Sequence, residues 1–175
     1  WGEARRRVVL GLDIGSTGAK AVLIDAADGG TLWDTWRRTL GDPVGAAQGL
    51  VADMLAAHAD DADVVAIGVT GSGREIVGSL ASSALDPARV FVLNEIAAHA
   101  AGAVHWDPAV DTIFELGGQD AKYIRLEDGR VVDAAMNEAC SAGTGSFIEE
   151  QGRCFDGVDD VRDMGRLALG ADHAV

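Results

Sequence analysis

The sequence predicts an α/β protein built from two related lobes, and an internal repeat is the main reason. Residues 13–25, DIGSTGAKAVLID, align without gaps with residues 115–127, ELGGQDAKYIRLE. Each copy follows an apolar run and leads into a strand that closes in an Asp-Gly turn, which is typical of a β-hairpin followed by a third strand. The matching acidic, glycine and Ala-Lys positions indicate a duplicated unit.

Helix and strand patterns alternate between the two copies. Residues 43–59 begin with proline, which is favourable at a first helical position, and carry apolar residues at helical spacing. The apolar run 63–71 predicts a buried strand. A helix, a short strand and another helix are then predicted at residues 74–82, 90–93 and 94–106. The first lobe therefore has the predicted order β-β-β-α-β-α-β-α.

The second lobe repeats only the start of this order. Three strands are predicted over residues 110–136, followed by a helix from Ser141 and another over Val161–Leu169. We therefore assign the first lobe to residues 1–107 and the second to residues 108–175. Because the chain opens on Trp1 and the second lobe has fewer elements, we expect a fragment of a longer protein.

Composition narrows the classes of partner. The chain has 28 acidic and 14 basic residues, a formal net charge of −14. This charge argues against binding to nucleic acid or to an anionic membrane, both of which need clustered cations. No apolar run approaches the ~18 residues of a membrane-spanning helix. Two cysteines cannot form a disulfide framework, so we expect a cytoplasmic protein.

The two predicted hairpin turns carry the groups that a phosphate chain requires. These are backbone N–H groups, hydroxyls and a carboxylate that can hold Mg²⁺ through water. The first turn offers Asp13, the backbone of residues 15–18, Ser16 and Thr17. The second turn offers Glu115, Gly117, Gly118, Gln119 and Asp120. Two such hairpins facing each other would bind a phosphate chain from both sides.

Other nucleotide-binding patterns are missing from the sequence. There is no GxxxxGK[ST] motif, and Ile76 stands where a dinucleotide fingerprint in GVTGSGREI would need glycine. Lys20 and Lys122 are within reach of a phosphate, but the residues alone favour side chains that extend along a strand to solvent. The glycine-rich hairpins therefore remain the best candidate site.

Three motifs resemble a known superfamily. DIGSTGAK, LNEIAAHA and ELGGQDAK are similar to the first phosphate motif, connecting helix and second phosphate motif of acetate and sugar kinases, heat-shock chaperones and actin. Within that group, FELGGQDAKYIRL and MNEACSAGTGSFIEEQ resemble the ATP-dependent activators of 2-hydroxyacyl-CoA dehydratases and the ATPase subunits of benzoyl-CoA reductases. The resemblance extends from Val8 onward and implies RNase H-like lobes that close on ATP or ADP with Mg²⁺.

The resemblance also implies roles for particular residues. It places Ser16 and Thr17 in the first phosphate loop and Gly117, Gly118 and Gln119 in the second. Together with the turn chemistry, this gives the predicted nucleotide-binding residues Gly15, Ser16, Thr17, Gly18, Lys20, Gly117, Gly118 and Gln119. It assigns catalysis to Asp13, Glu95, Gln119 and Asp120, with Glu95 near the attacking water or Mg²⁺. Many superfamily members have aspartate where Glu115 stands, so the carboxylate that holds Mg²⁺ is left open between Asp13, Glu115 and Asp120.

In the activators that the chain resembles, the cysteine at the position of Cys140 is a ligand of a [4Fe–4S] cluster that two subunits share. A cysteine just before a helix lies at its positive end, which favours the thiolate. The next three residues are small (Ser141, Ala142, Gly143) and would admit a cluster. A structural cysteine is the alternative. A single helix from Ser141 to Phe155 would place Cys154 ~21 Å from Cys140, so we expect Cys154 to be a partly buried small residue and not a ligand of the same cluster. The resemblance implies that the second cluster cysteine lies beyond the end of this chain.

The resemblance, together with these residues, implies the ATPase module of an iron–sulfur activator. It would form a homodimer or pair with an internal module, and pass a low-potential electron to a 2-hydroxyacyl-CoA dehydratase or acyl-CoA reductase. One alternative is a sugar or carboxylate kinase that uses the same phosphate loops, with Cys140 incidental. Another is a non-catalytic nucleotide switch similar to actin or a chaperone.

Overall fold

The computed structural model describes residues 5–137 and 144–171, and the chain divides into two compact units. The first unit ends at His105 and the second begins at Trp106. The helices within the described ranges all fall short of the length and apolar character needed to cross a membrane.

Unit 1 is built on a five-stranded mixed sheet with strand order β3-β2-β1-β4-β5. Strands β1, β2 and β3 form an antiparallel meander, and β4 and β5 continue the sheet in parallel with β1. The elements are β1 (Arg6–Ile14), β2 (Gly18–Asp25), β3 (Thr31–Arg38), α1 (Pro43–His58), β4 (Ala62–Thr70), α2 (Arg74–Ala84), β5 (Val90–Val92) and α3 (Glu95–Trp106). Their order matches the predicted order.

The core of unit 1 lies between the sheet and α1. Alternate residues of β1 are buried, as period-two patterning requires of a strand with one covered face. Helix α1 begins at Pro43, where Asp42 caps it by accepting a hydrogen bond from Gly45 N at 2.8 Å. The buried side chains that meet here are Val8, Leu10, Leu12, Ile14, Ala46, Ala47, Leu50 and Met54. This packing fixes the end of β1, where the first turn begins.

Unit 2 contains a three-stranded antiparallel sheet followed by two helices. Its elements are β6 (Thr112–Leu116), β7 (Ala121–Glu127), β8 (Arg130–Met136), α4 (Gly145–Gly152) and α5 (Val161–Leu169). The β7–β8 turn has positive φ at Asp128 (48°) and Gly129 (72°), as a two-residue hairpin turn requires. The mixed α/β prediction, with a hairpin opening each unit, is confirmed.

The helix predicted from Ser141 begins later, at Gly145. Thr144 precedes it in an extended conformation (φ −100°, ψ 170°), so a helix cannot run continuously through this position. Threonine is favoured at this position because its hydroxyl can accept a hydrogen bond from the first turn of the helix, but among the described residues Thr144 makes no such capping bond. The helix also ends at Gly152 rather than at Phe155. The separation of the two cysteines expected from one long helix therefore does not apply.

Candidate functional site

An acid–lysine pair flanks the first turn, with the acid on β1 and the lysine on β2. Asp13 and Lys20 are cross-strand partners in the β1–β2 ladder, and Lys20 Nζ donates to Asp13 Oδ2 at 2.9 Å. The Lys20 side chain is 52% exposed, so it remains accessible to solvent as well as paired. The first hairpin thus presents one carboxylate and one accessible ammonium beside the predicted phosphate turn.

The turn itself is held by its carbonyl groups. Gly15 N donates to Gly18 O at 3.1 Å across the turn. Buried Thr39 donates from its hydroxyl to Gly15 O at 2.6 Å and from its backbone to Thr17 O at 3.0 Å. A Cβ on Gly15 would lie 2.7 Å from Gly18 O, so this position requires glycine. Ser16, between these anchors, is exposed.

A second glycine-rich segment contacts Asp13. Gly73 N donates to Ile14 O at 2.8 Å. Gly71 has φ +92°, and a Cβ there would lie 2.7 Å from Asp13 Oδ1. The sequence prediction did not place this segment at the site, because GVTGSGREI lacks the third glycine of a dinucleotide fingerprint. A glycine turn after a buried parallel strand was the available signal, because the carboxyl ends of parallel strands share one edge of a sheet, where ligands bind.

Unit 1 also contains a largely apolar cavity of about 710 Å³ that reaches this edge. Asp13, Lys20 and Thr70 line it. Within the described part of the chain, the buried Thr70 hydroxyl has no hydrogen-bond partner. Glu95 is the first residue of α3, and the same helix lines the cavity with Ala98 and Ala101. Asp13, Lys20 and helix α3, which begins at Glu95, therefore border a single open space.

The second hairpin repeats the acid–lysine pair with a different environment. Glu115 and Lys122 are cross-strand partners in the β6–β7 ladder. Lys122 Nζ donates to Glu115 Oε2 at 2.9 Å and to Asp120 Oδ1 at 2.8 Å. The Lys122 side chain is only 4% exposed, so the expectation that it extends to solvent is wrong. Two carboxylates offset the free-energy cost of removing the Lys122 ammonium from water. The exposed Lys20 ammonium keeps its hydration and bears no such cost.

Both carboxylates of the second hairpin converge over Gly117. A Cβ on Gly117 would lie 2.9 Å from Asp120 Oδ1 and 3.0 Å from Glu115 Oε1. Carboxylate oxygens are the ligands that Mg²⁺ prefers, although the Lys122 ammonium beside them offsets part of their charge. The residues of this turn therefore fit Mg²⁺ held partly through water. Among the residues that the structure describes, no group of three or more His, Cys, Asp or Glu side chains is placed to hold a metal ion.

The first turn of α4 packs on the same glycines. Gly145 N donates to Gly117 O at 2.8 Å, and Ser146 N donates to Gly118 O at 3.1 Å. Thr144 is fully buried beside them, and its hydroxyl has no partner within the described ranges. The second turn is thus bonded to the helix that follows the Cys140 segment. Gln119 is exposed on this turn.

The structure describes the surroundings of Cys154 but not those of Cys140. Cys140, with Ser141, Ala142 and Gly143, lies outside the described residues. Cys154 is exposed rather than partly buried, and its thiol donates to Glu150 O at 3.8 Å. The reason is that α4 ends at Gly152, so Cys154 follows the helix instead of lying on it.

The chain has an actin-like ATPase fold, with mixed α/β architecture and a hairpin opening each unit, and a solved structure confirms this class. The activator of the 2-hydroxyisocaproyl-CoA dehydratase from Clostridium difficile, with bound ADPNP, superposes with a TM-score of 0.77 and 27% identity. The alignment covers 96% of this chain and 59% of that one. The predicted fold class is therefore confirmed.

The chain belongs to the BadF/BadG/BcrA/BcrD ATPase family, whose profile matches residues 10–158. It is 31% identical over 169 residues to the 2-hydroxyisocaproyl-CoA dehydratase activator of Clostridioides difficile, covering 95% of this chain and 58% of the relative. It is 29% identical over 158 residues to the (R)-2-hydroxyglutaryl-CoA dehydratase activating ATPase of Acidaminococcus fermentans, covering 89% and 57%. The chain thus spans little more than half the length of these relatives.

Proposed function

We propose that the chain is the ATP-binding and ATP-hydrolysing module of an iron–sulfur activator. The observation that carries the proposal is the matched pair of hairpins, each with an acid and a lysine opposite one another beside a glycine turn. Membership of an ATPase family and relatives named as dehydratase activators support the same assignment. The partner would be a 2-hydroxyacyl-CoA dehydratase or an acyl-CoA reductase in the cytoplasm.

The first turn would bind the phosphate chain through its backbone and the Ser16 and Thr17 hydroxyls. The exposed Lys20 ammonium can exchange Asp13 for a phosphate oxygen, because exposed ion pairs are weak and easily replaced. Glu95 would orient the attacking water. This division of roles uses positioning and electrostatic stabilisation, which dominate phosphoryl transfer.

The carboxylate that holds Mg²⁺ through water would be Asp13 at the first turn or Glu115 and Asp120 at the second. When bound, Mg²⁺ supplies the charge that neutralises the phosphate oxygens. The convergence of Glu115 and Asp120 over Gly117 supports the site at the second turn. Gln119, exposed on the same turn, would contact the nucleotide phosphates.

Cys140 would be one thiolate ligand of a [4Fe–4S] cluster shared with a second subunit or module. The support is its sequence context, MNEACSAGTGSFIEEQ, which resembles the dehydratase activators. A bound cluster would supply one low-potential electron for reduction of an acyl-CoA thioester on the partner. The bonds between α4 and the second phosphate turn give nucleotide binding a short route to this segment.

Anaerobic purification of the full-length protein that contains this chain, followed by iron and ATPase assays, tests the proposal. We expect the protein to contain iron and to hydrolyse ATP. Cys140→Ser should remove the iron while ATP affinity stays within about twofold, because Cys140 would bind only the cluster. The matched control is Cys154→Ser, which should retain both properties because this thiol is exposed and follows α4.

Two outcomes would contradict the proposal. Iron-free protein that phosphorylates a sugar or a carboxylate would identify a kinase. Loss of ATP binding with retained iron in Cys140→Ser would place this cysteine in the nucleotide site instead.

A further inference from the structure

Lys122 is an unusual residue because its ammonium group is almost completely buried. Its side chain is 4% exposed, whereas Lys and Arg are almost never fully buried unless they are paired. The two carboxylates that accept from it, Glu115 and Asp120, are also those that converge over Gly117. One lysine therefore holds both acids of the second turn.

The first hairpin provides an internal comparison. Lys20 has the same spacing from Asp13 that Lys122 has from Glu115, the same cross-strand register and the same 2.9 Å bond. However, Lys20 is 52% exposed, and among residues 5–137 and 144–171 it pairs with one carboxylate, that of Asp13. The first pair is neutral, whereas Glu115, Asp120 and Lys122 together carry one negative charge. The duplicated positions therefore differ in burial and in charge.

We propose that Lys122 is a positioning residue that makes metal binding at the second turn depend on nucleotide. This inference rests on the proposed function and takes Glu115 and Asp120 as the acids that hold Mg²⁺ through water. The lysine fixes both carboxylates over Gly117 before the metal arrives. It also cancels half of their charge, so a bare divalent cation is held weakly. A cation that arrives with the negative phosphates of a nucleotide is held well.

The physical basis is the strength of charge interactions in a poorly hydrated site. Charges a few ångströms apart interact several-fold more strongly near or within a protein than in bulk water. Without the Lys122 charge, the adjacent Glu115 and Asp120 carboxylates would carry two uncompensated negative charges. They would then attract a divalent cation even when no phosphate is present. The nucleotide dependence of metal affinity is therefore the property that Lys122 sets.

Mn²⁺ binding, followed by the loss of its free EPR signal, tests this inference in the full-length protein that contains this chain. The titration is done with Mn²⁺ alone and with Mn²⁺ plus a non-hydrolysable ATP analogue. For the wild type we expect the analogue to tighten Mn²⁺ binding strongly. In Lys122→Met, Mn²⁺ alone should bind on the order of tenfold more tightly, and the effect of the analogue should shrink correspondingly.

Three further variants complete the design. Lys122→Gln is a second neutral variant whose amide can still donate to one carboxylate, in case Lys122→Met does not fold. Lys122→Arg keeps the charge and should restore the nucleotide dependence. Arg125→Met removes a cation from the same strand, where Arg125 is 53% exposed and pairs with Glu127, and should leave both Mn²⁺ affinities unchanged.

The outcomes separate the two proposals. Folded Lys122→Met or Lys122→Gln with wild-type affinity for free Mn²⁺ would overturn the role of Lys122 while leaving the nucleotide site intact. Lys122→Arg that behaves like the neutral variants would overturn it as well, because charge would then be irrelevant. A wild type that binds neither the analogue nor Mn²⁺ would instead overturn the proposed function, and the inference with it.

Discussion

At the residue scale, Gly71 connects the end of β4 to the Asp13 carboxylate. Its φ of +92° is a backbone conformation that glycine adopts readily and other residues rarely adopt. Its position also leaves no room for a side chain, since a Cβ would lie 2.5 Å from Ile14 O and 2.7 Å from Asp13 Oδ1. The residue is therefore required both for the local turn and for the placement of Asp13.

We expect Gly71→Ala to destabilise the protein by about 2 to 4 kcal/mol, since the strained φ and the contact with Ile14 both oppose it. It should also lower ATP turnover, because Asp13 must move away from the new methyl group. Thermal unfolding and steady-state hydrolysis measure the two effects.

Gly41→Ala is the control for backbone strain alone. Gly41 has a similar φ of +76°, but a Cβ at this position would meet no described atom within 4 Å. The substitution should cost only about 1 to 2 kcal/mol and leave turnover unchanged. If both variants lose turnover equally, contact with Asp13 is not the cause.

At the scale of elements, α4 is joined to the second turn by two backbone hydrogen bonds. Gly145 N and Ser146 N, at the start of the helix, donate to Gly117 O and Gly118 O. The first N–H groups of a helix have no partner within the helix, so the turn satisfies groups that would otherwise need water or a cap. Any shift of the glycines in the second turn is therefore transmitted to the start of α4.

Gly145→Ala tests this junction. A Cβ would lie 3.2 Å from Gly117 O, so the helix or the turn must move by a few tenths of an ångström. We expect ATP affinity to fall several-fold although alanine favours helix formation by up to about 1 kcal/mol over glycine. Isothermal titration with the non-hydrolysable analogue measures the affinity.

The matched variant is Gly165→Ala in α5, where a Cβ would meet no atom of the described residues within 4 Å. It should raise thermal stability through helix propensity alone and leave nucleotide affinity unchanged. Equal affinity in Gly145→Ala and the wild type would show that the junction does not reach the nucleotide site.

At the scale of the whole molecule, the duplicated hairpins were predictable because their information is local. Register, turn glycines and the acid–lysine spacing all follow from short stretches of sequence, and the structure has Asp13–Lys20 and Glu115–Lys122 opposite one another. Burial was not predictable in the same way. Lys20 and Lys122 have the same local pattern, but Asp120 folds back onto Lys122, and within the described part of the chain no comparable acid does so for Lys20.

The start of α4 was mispredicted for a related reason. The sequence SAGTGSF permits a helix to begin at several positions, and propensity alone does not choose between them. The choice is made by contacts from distant residues, because the carbonyls of Gly117 and Gly118 accept from Gly145 and Ser146. The contact of Gly71 with Asp13 also joins residues that are far apart in the sequence.

The proposed function gives nucleotide-binding roles to the turns of both hairpins. Binding of a ligand to the native state stabilises it by about 2.7 kcal/mol at one hundred times its Kd. We expect amide hydrogen exchange at residues 15–18 and at residues 117–120 to slow together when Mg²⁺ and the non-hydrolysable analogue are added. The strand β3, at the edge of the first sheet, serves as an internal reference and should change little. Protection confined to the first turn would mean that the second hairpin does not bind the nucleotide, and the roles given to Glu115, Asp120 and Lys122 would then be wrong.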